Sequence, residues 1–195
     1  MKYLLLIFIP LLGFNFKPGQ SSGFIEDFTL PNVVDGQEFS LLEYETVPTV
    51  VVIFTSLYCP YAQLYEERID HLIGDFQGEK IRFVLINSNS PKSSPDESKE
   101  SMVRRAQQKQ MSIPFLADHN QRVARLFGAK KSPEVFVLSR QKKSFKIVYQ
   151  GAIDDNPQVP QDVHHHYLRD FLRSSSNGNA YSLRTTPATG CMIKR

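Results

Sequence analysis

The 195 residues contain no tryptophan, two cysteines and almost no charge surplus, with 23 Lys plus Arg against 20 Asp plus Glu for a net +3. That balance, with no basic stripe interleaved with aromatics, argues against a nucleic-acid partner. Beyond the N-terminus no apolar run approaches the roughly 20 residues that span a bilayer. Cysteine is missing at Ala62, where a C-x-x-C dithiol would carry its second sulfur, and Tyr61 to Gln63 supply none for a copper-chaperone C-x-x-x-C. No strand–turn–helix nucleophile elbow supports Ser-His-Asp catalysis. Internal repeats are absent. What remains, 41% hydrophobic and 22% charged, is the composition of one globular domain of ordinary size.

The first 20 residues read apart from the rest. Met1-Lys2 precedes YLLLIFIPLLGFNF and then a Lys-Pro-Gly-Gln-Ser-Ser-Gly linker. A basic start and a short apolar stretch predict a secretory signal peptide or, because no A-x-A cleavage site follows, an uncleaved anchor with membrane attachment through residues 3–16 alone. Export places the chain in the bacterial periplasm, the cell envelope or outside the cell, where two cysteines can pair.

Residues 24–174 then read as an α/β domain, and 175–195 as an extended tail carrying Cys191. Asp35-Gly36 marks an N-terminal β-hairpin. TVVVIFT (49–55) and IRFVLINSN (81–89) are apolar on both faces and predict buried strands, with a helix over 60–76 between them. Ser94, Pro95 and Glu97 form a capping-box pattern for a helix reaching about Gln110. A short strand in IPFLAD, a short helix closed by Gly128, the strand EVFVLS, the edge strand FKIVYQG and a last helix over 161–175 complete the domain. The order gives a mixed central sheet flanked by helices. A strand-Cys-Pro-helix junction early and an X-Pro-strand late is the layout of the thioredoxin fold.

The junction carries the chemistry. Cys59 at the first turn of a helix meets unpaired backbone N–H groups and the positive end of the helix dipole. Such positions lower a thiol pKa from about 8.5 into the range of roughly 3.5–7.5, and the thiolate is the nucleophile. Pro60 suits the next position because no N–H is needed there. With Ala62 unable to resolve Cys59, the other sulfur in the chain is Cys191. Three arrangements stay open: a structural Cys59–Cys191 staple, a nucleophile with a remote resolving thiol cycled by exchange, or an unrelated free Cys191.

Other clusters point to no chemistry. Consecutive helical residues lie about 100° apart, so His164, His165 and His166 on a helix do not converge on one ion. Asp154-Asp155-Asn156-Pro157 is a turn by composition. Lys130 and Lys131 read as a solvated pair on a loop. No metal and no cofactor is expected.

Five segments together resemble the redoxin group, the alkyl hydroperoxide reductase/thiol-specific antioxidant (peroxiredoxin-like) family of the thioredoxin superfamily. They are Tyr58-Cys59-Pro60-Tyr61, the following Tyr65-Glu66, Gly128 to Phe136 (Gly-Ala-Lys-x-Ser-Pro-Glu-Val-Phe), Gly151 to Asp155 and Gly190 to Lys194. The resemblance spans residues 24–195. It implies a thioredoxin fold, Cys59 as redox nucleophile, Cys191 as candidate resolving thiol, Pro133 as a cis-proline shaping the substrate groove, and Ser56 as hydroxyl partner of the thiolate. Tyr58, Pro60 and Ser132 are the implied substrate contacts. The implied reaction is antioxidant peroxide reduction or thiol–disulfide exchange, on a small peroxide or a protein disulfide, with a thioredoxin-like or small-thiol reductant. Two positions depart from the family's Pro-x-x-x-Thr/Ser-x-x-Cys pattern and its peroxide-binding arginine. Val52 stands at the proline, and the arginine position falls in the Pro133 region. The alternative is a non-catalytic thioredoxin-like binding module stapled by a Cys59–Cys191 disulfide.

Overall fold

The computed structural model describes residues 23–176 and 183–195; the expected leader or anchor at 1–20 lies outside them. β4 (Thr49–Thr55) is the spine, and its five central residues are buried. It pairs in parallel with β5 (Ile81–Asn87) and antiparallel with β8 (Glu134–Arg140). Outside β5 lies the parallel β6 (Phe115–Ala117), and outside β8 the antiparallel β9 (Phe145–Gly151). β1 (Phe24–Ile25) and β10 (Arg184–Thr185) both lie along the far side of β9, antiparallel and parallel respectively. β9 is therefore not a bare edge as its weak alternation suggested; two short strands cover it. The expected hairpin forms a separate pair, β2 (Thr29–Pro31) with β3 (Glu38–Ser40).

Side chains of a strand alternate between faces, so β4 feeds two cores. Val51 and Ile53 pack with Tyr65, Ile69 and Leu72 of α1 (Pro60–Asp75), Met102 of α2 (Lys99–Gln108) and Leu168, Phe171 and Leu172 of α4 (Tyr167–Ser176). Val50, Val52 and Phe54 pack on the opposite face with the hairpin and with Val123 and Phe127 of α3 (Arg122–Phe127). There Phe54, Phe127 and Phe136 meet edge to face with ring centroids 5.2–5.6 Å apart. Each such pair stabilises by about 0.5–1.5 kcal/mol beyond the area it buries. Gly128 closes α3 in the left-handed region at φ 71°, where a Cβ is disfavoured.

Three local expectations are corrected. The Ser94-Pro95-Asp96-Glu97 stretch opens only a single 3-10 turn (Pro95–Glu97), and Ser94 makes no side-chain cap. α2 begins four residues later, capped by Ser98, whose hydroxyl accepts from the Ser101 N–H at 3.3 Å. His164 to His166 precede α4 in non-helical backbone, where His165 stacks on Tyr167. Lys131 is not a solvated charge, because its Nζ donates to the Ala188 carbonyl at 2.7 Å.

Candidate active site

The site lies where β4 ends. Thr55 gives way to the turn Ser56–Tyr58, and Cys59 is the N-cap of α1 with extended backbone (φ −78°, ψ 121°). Pro60 holds the first helical position, and the Gln63 N–H donates to the Cys59 carbonyl at 3.0 Å to start the helix. The first-turn N–H groups of Tyr61 and Ala62 have no intrahelical acceptor. Cys59 itself is 3% exposed.

Opposite it runs the loop before β8. The Ser132–Pro133 peptide is cis. The Ser132 carbonyl oxygen lies 3.1 Å from Cys59 Sγ, and the Ser132 hydroxyl donates to the Thr55 carbonyl at 3.3 Å. Ser132 is buried; Tyr58 and Pro60 stand exposed at the rim.

The tail comes to this loop. β11 (Cys191–Met192) pairs antiparallel with β7 (Lys131–Ser132), setting Cys191 opposite Ser132. Cys191 and Cys59 form a disulfide with Cα atoms 5.9 Å apart. The approach is close enough that a Cβ on Gly190 would fall 2.4 Å from the Ser132 carbonyl oxygen. Before the disulfide, Thr186 Oγ1 lies 2.7 Å from the Tyr149 hydroxyl and accepts from the Ala152 N–H at 2.9 Å. After it, the Ile193 N–H donates to the Lys130 carbonyl, the Lys194 N–H to Asn89 Oδ1, and Gln121 Nε2 to the Lys194 carbonyl. Residues 183–195 thus form a strap across the C-terminal ends of the parallel strands, where open α/β sheets place their sites.

In this oxidised state the Ser56 hydroxyl bonds to groups other than the sulfur. It donates to Glu97 Oε1, and its oxygen accepts from the Cys59 N–H at 3.0 Å. Glu97 is the residue the sequence reading assigned to a helix cap. It is 3% exposed, and it also accepts from the Leu57 N–H at 2.9 Å, the Tyr58 N–H at 3.2 Å and Asn87 Nδ2 at 2.7 Å. No spacing rule marks it, because all four donors come from other parts of the chain. Asp154 was missed in the same way. Within its turn it accepts from the Tyr65 hydroxyl at 2.6 Å and from Arg68 Nη1 at 2.8 Å, tying α1 to the segment after β9. Burial, reinforced by the Asp154 carboxylate, pushes the Tyr65 phenol well above its ordinary range. Glu134 accepts from the Lys130 and Lys131 N–H groups and so fixes the loop entering β7. Among the described residues no cluster of three or more His, Cys, Asp or Glu side chains is placed to hold a metal ion.

Against known proteins, the model of the AhpC/TSA family matches residues 24–155. The chain belongs to the AhpC/TSA family. It is similar over 92% of its length to two solved structures. One is a hypothetical protein of Sinorhizobium meliloti, at 30% identity, TM-score 0.78 and 95% of that chain covered. The other is an uncharacterized conserved protein of Geobacillus kaustophilus, at 28% identity, TM-score 0.79 and 93% covered. The exposed lipoprotein thioredoxin of Streptococcus pneumoniae shares the fold at 18% identity and TM-score 0.54, over 77% of this chain and 98% of that one. A search of curated proteins found no match. The expected thioredoxin-like architecture and redoxin family are both borne out. Within this AhpC/TSA chain, Cys59 and Cys191 are joined to each other, and neither is a free cysteine.

Proposed function

We propose that this AhpC/TSA protein is an exported thiol oxidoreductase working by disulfide exchange, with Cys59 as nucleophile and Cys191 as resolving thiol. The observation that carries the reading is the Cys59–Cys191 bond at the N-terminal end of α1, against the Ser132–Pro133 peptide. In the oxidised protein, the thiolate of a thioredoxin-like protein or a small thiol attacks Cys191 Sγ, on the less buried residue of the pair. The S–S bond breaks and Cys59 leaves with the electron pair. The helix N-terminus favours that thiolate, which makes it the better leaving group. A second reductant thiolate attacks the reductant sulfur of the mixed disulfide, and Cys191 departs and takes a proton. With a substrate disulfide, the Cys59 thiolate attacks one substrate sulfur, and the other leaves and takes a proton. The Cys191 thiolate then attacks Cys59 Sγ, and the second substrate sulfur leaves and takes a proton. The Cys59–Cys191 bond is restored, two electrons and two protons having passed to the substrate.

Two features favour disulfide exchange over peroxide reduction. Val52 replaces the family's active-site proline, and among the described residues no arginine hydrogen-bonds to Cys59 or Ser56. In the peroxide reaction Cys59 thiolate would take the terminal oxygen as a sulfenic acid, releasing alcohol or water, and Cys191 would displace hydroxide from that sulfur to close the disulfide, a proton completing the water. The apolar stretch at 3–16 and the oxidised cysteine pair support export.

The bonds that hold the strap at Lys130, Asn89 and Gln121 favour one competing reading, a binding module with a permanent staple. Equilibration in redox buffers, followed by alkylation and mass measurement, separates the two. An oxidoreductase pair equilibrates between about −270 and −120 mV. A pair still oxidised at poises below about −300 mV is a staple and overturns the proposal. Peroxide turnover with a thiol donor at a rate above that of disulfide reduction would reassign the substrate.

A further inference from the structure

We propose that Glu97 is a positioning residue for Cys59, acting through Ser56 and the 57–58 backbone, and that its negative charge is felt at the Cys59 sulfur. The inference rests on Cys59 being the nucleophile.

Both Glu97 oxygens are occupied by donors, Oε1 by the Ser56 hydroxyl and the Tyr58 N–H, Oε2 by the Leu57 N–H and Asn87 Nδ2. A carboxylate held by four donors and accepting from all of them behaves as an ionised acceptor. Three of the four come from the turn that carries Cys59. The Ser56 oxygen then takes the Cys59 N–H, so a single hydroxyl links the carboxylate to the cysteine backbone. Among the ion pairs of the described residues none involves Glu97. Its charge is hydrogen-bonded but not neutralised.

The other ionisable groups nearby do not neutralise it. His119, in the turn after β6, bonds to the Glu97 main chain, and burial holds its pKa below the ordinary histidine value despite Asp118, Glu100 and Glu97 around it. Its ring forms no ion pair with the Glu97 carboxylate. The Asp118 carboxylate is taken by the Ser88 hydroxyl and the N–H groups of Val123 and Ala124. Glu134 is taken by the Lys130 and Lys131 N–H groups and Gln150, and the Lys131 ammonium by the Ala188 carbonyl. Among the described residues, Glu97 is the one ionisable side chain bonded into residues 56–58.

Two opposed influences therefore act on the reduced Cys59 sulfur. The first turn of α1 favours the thiolate. A buried like charge across the turn disfavours it. The chemical consequence is moderation: Glu97 keeps Cys59 from becoming so good a leaving group that the Cys191 bond turns strongly oxidising.

The test uses the full chain. With Cys191→Ser, Cys59 is the sole thiol, and its rate of alkylation by iodoacetamide is followed against pH with and without Glu97→Gln. The midpoint is expected to fall by about one pH unit in Glu97→Gln. In the chain that retains Cys191, Glu97→Gln should shift the equilibrium with glutathione toward the reduced form by roughly tenfold. A midpoint unchanged by Glu97→Gln in a folded protein overturns the inference. A parent midpoint near 8.5 overturns the nucleophile reading instead. Should Glu97→Gln not fold, Ser56→Ala decides: it takes one donor from the Glu97 carboxylate and leaves its charge in place, so the Cys59 midpoint is expected to rise and the disulfide to become several-fold harder to reduce. An unchanged ratio there removes the positioning role.

Discussion

Cys191 stands opposite Ser132 across a two-residue antiparallel pair, and the Ser132 carbonyl oxygen is 3.1 Å from the sulfur of Cys59. One backbone register thus delivers the tail cysteine to the helix-capping cysteine. The pairing places Gly190 beside the peptide bond before Pro133, where no side chain fits.

Gly190→Ala should disturb that register. Its Cβ would meet the Ser132 carbonyl oxygen at 2.4 Å and carbon at 2.7 Å, both backbone atoms. The strap must lift or the loop must move, at about 1–3 kcal/mol. The expected results are a lower thermal midpoint for the oxidised protein and reduction at a lower dithiothreitol concentration. Identical reduction curves for the variant and the parent would show that the register does not hold the disulfide.

Asp154 gives a second test, remote from the sulfurs. Its side chain is 4% exposed and pairs with an Arg68 that is 15% exposed, while Tyr65 donates to its other oxygen. Asp154→Ala leaves a largely buried guanidinium with the Asn156 and Pro157 carbonyls but no counter-charge, and should destabilise by about 3 kcal/mol. Tyr65→Phe, which removes one hydroxyl, should cost about 1 kcal/mol. Urea unfolding of both single variants and the double variant would measure the Tyr65–Asp154 coupling, and additivity would mean that this bond contributes nothing to stability.

Alkaline pH should weaken the fold through two phenols. Burial pushes Tyr149 up to about 12, partly offset by its bond to Thr186. Burial and then Asp154 push Tyr65 higher still. The unfolded chain releases both protons near pH 10. Between that pH and the folded values, the native state holds protons that the unfolded state has lost. Stability is therefore complete below about pH 10 and falls by about 1 kcal/mol per pH unit for each tyrosine above it. Urea midpoints from pH 8 to 11 would show the slope, and Tyr149→Phe should flatten it.

The legible parts of this fold are those whose signal is local. The run at 49–55 is apolar on both faces and bounded by Pro48 and the Cys59-Pro60 junction, and it forms β4 with those limits. The helix after it has Ala62, Tyr65, Ile69 and Leu72 at helical spacing, and all four are buried. Gly128 ends α3 as its conformational freedom suggests. Local signal misled at Glu97. Ser94-Pro95-Asp96-Glu97 has the form of a capping box, but donors from residues 56–58 and 87 capture the carboxylate, and Ser98 caps the helix instead. In the strap only Cys191 and the segment around it were legible; its course was not, because its attachments use mostly its own main chain, and such bonds impose no hydrophobic period. The covering of β9 was illegible for the same reason: two two-residue strands leave no alternation to read.

That covering has a consequence for the protein's behaviour in concentrated solution. Open strand margins recruit other chains by offering unpaired N–H and C=O groups. Here one margin is closed at Phe145–Lys146 by the N-terminal strand and at Tyr149–Gln150 by the strap, while Asn32 bridges to Leu116 on the opposite side. The cysteine bond is one anchor of the strap, so reduction is expected to loosen the cover over β9. If the tail then leaves the Tyr149–Gln150 backbone, a sample kept in excess dithiothreitol should grow turbid on concentration while the air-oxidised sample stays clear; equal clarity would show that the strap holds without its disulfide.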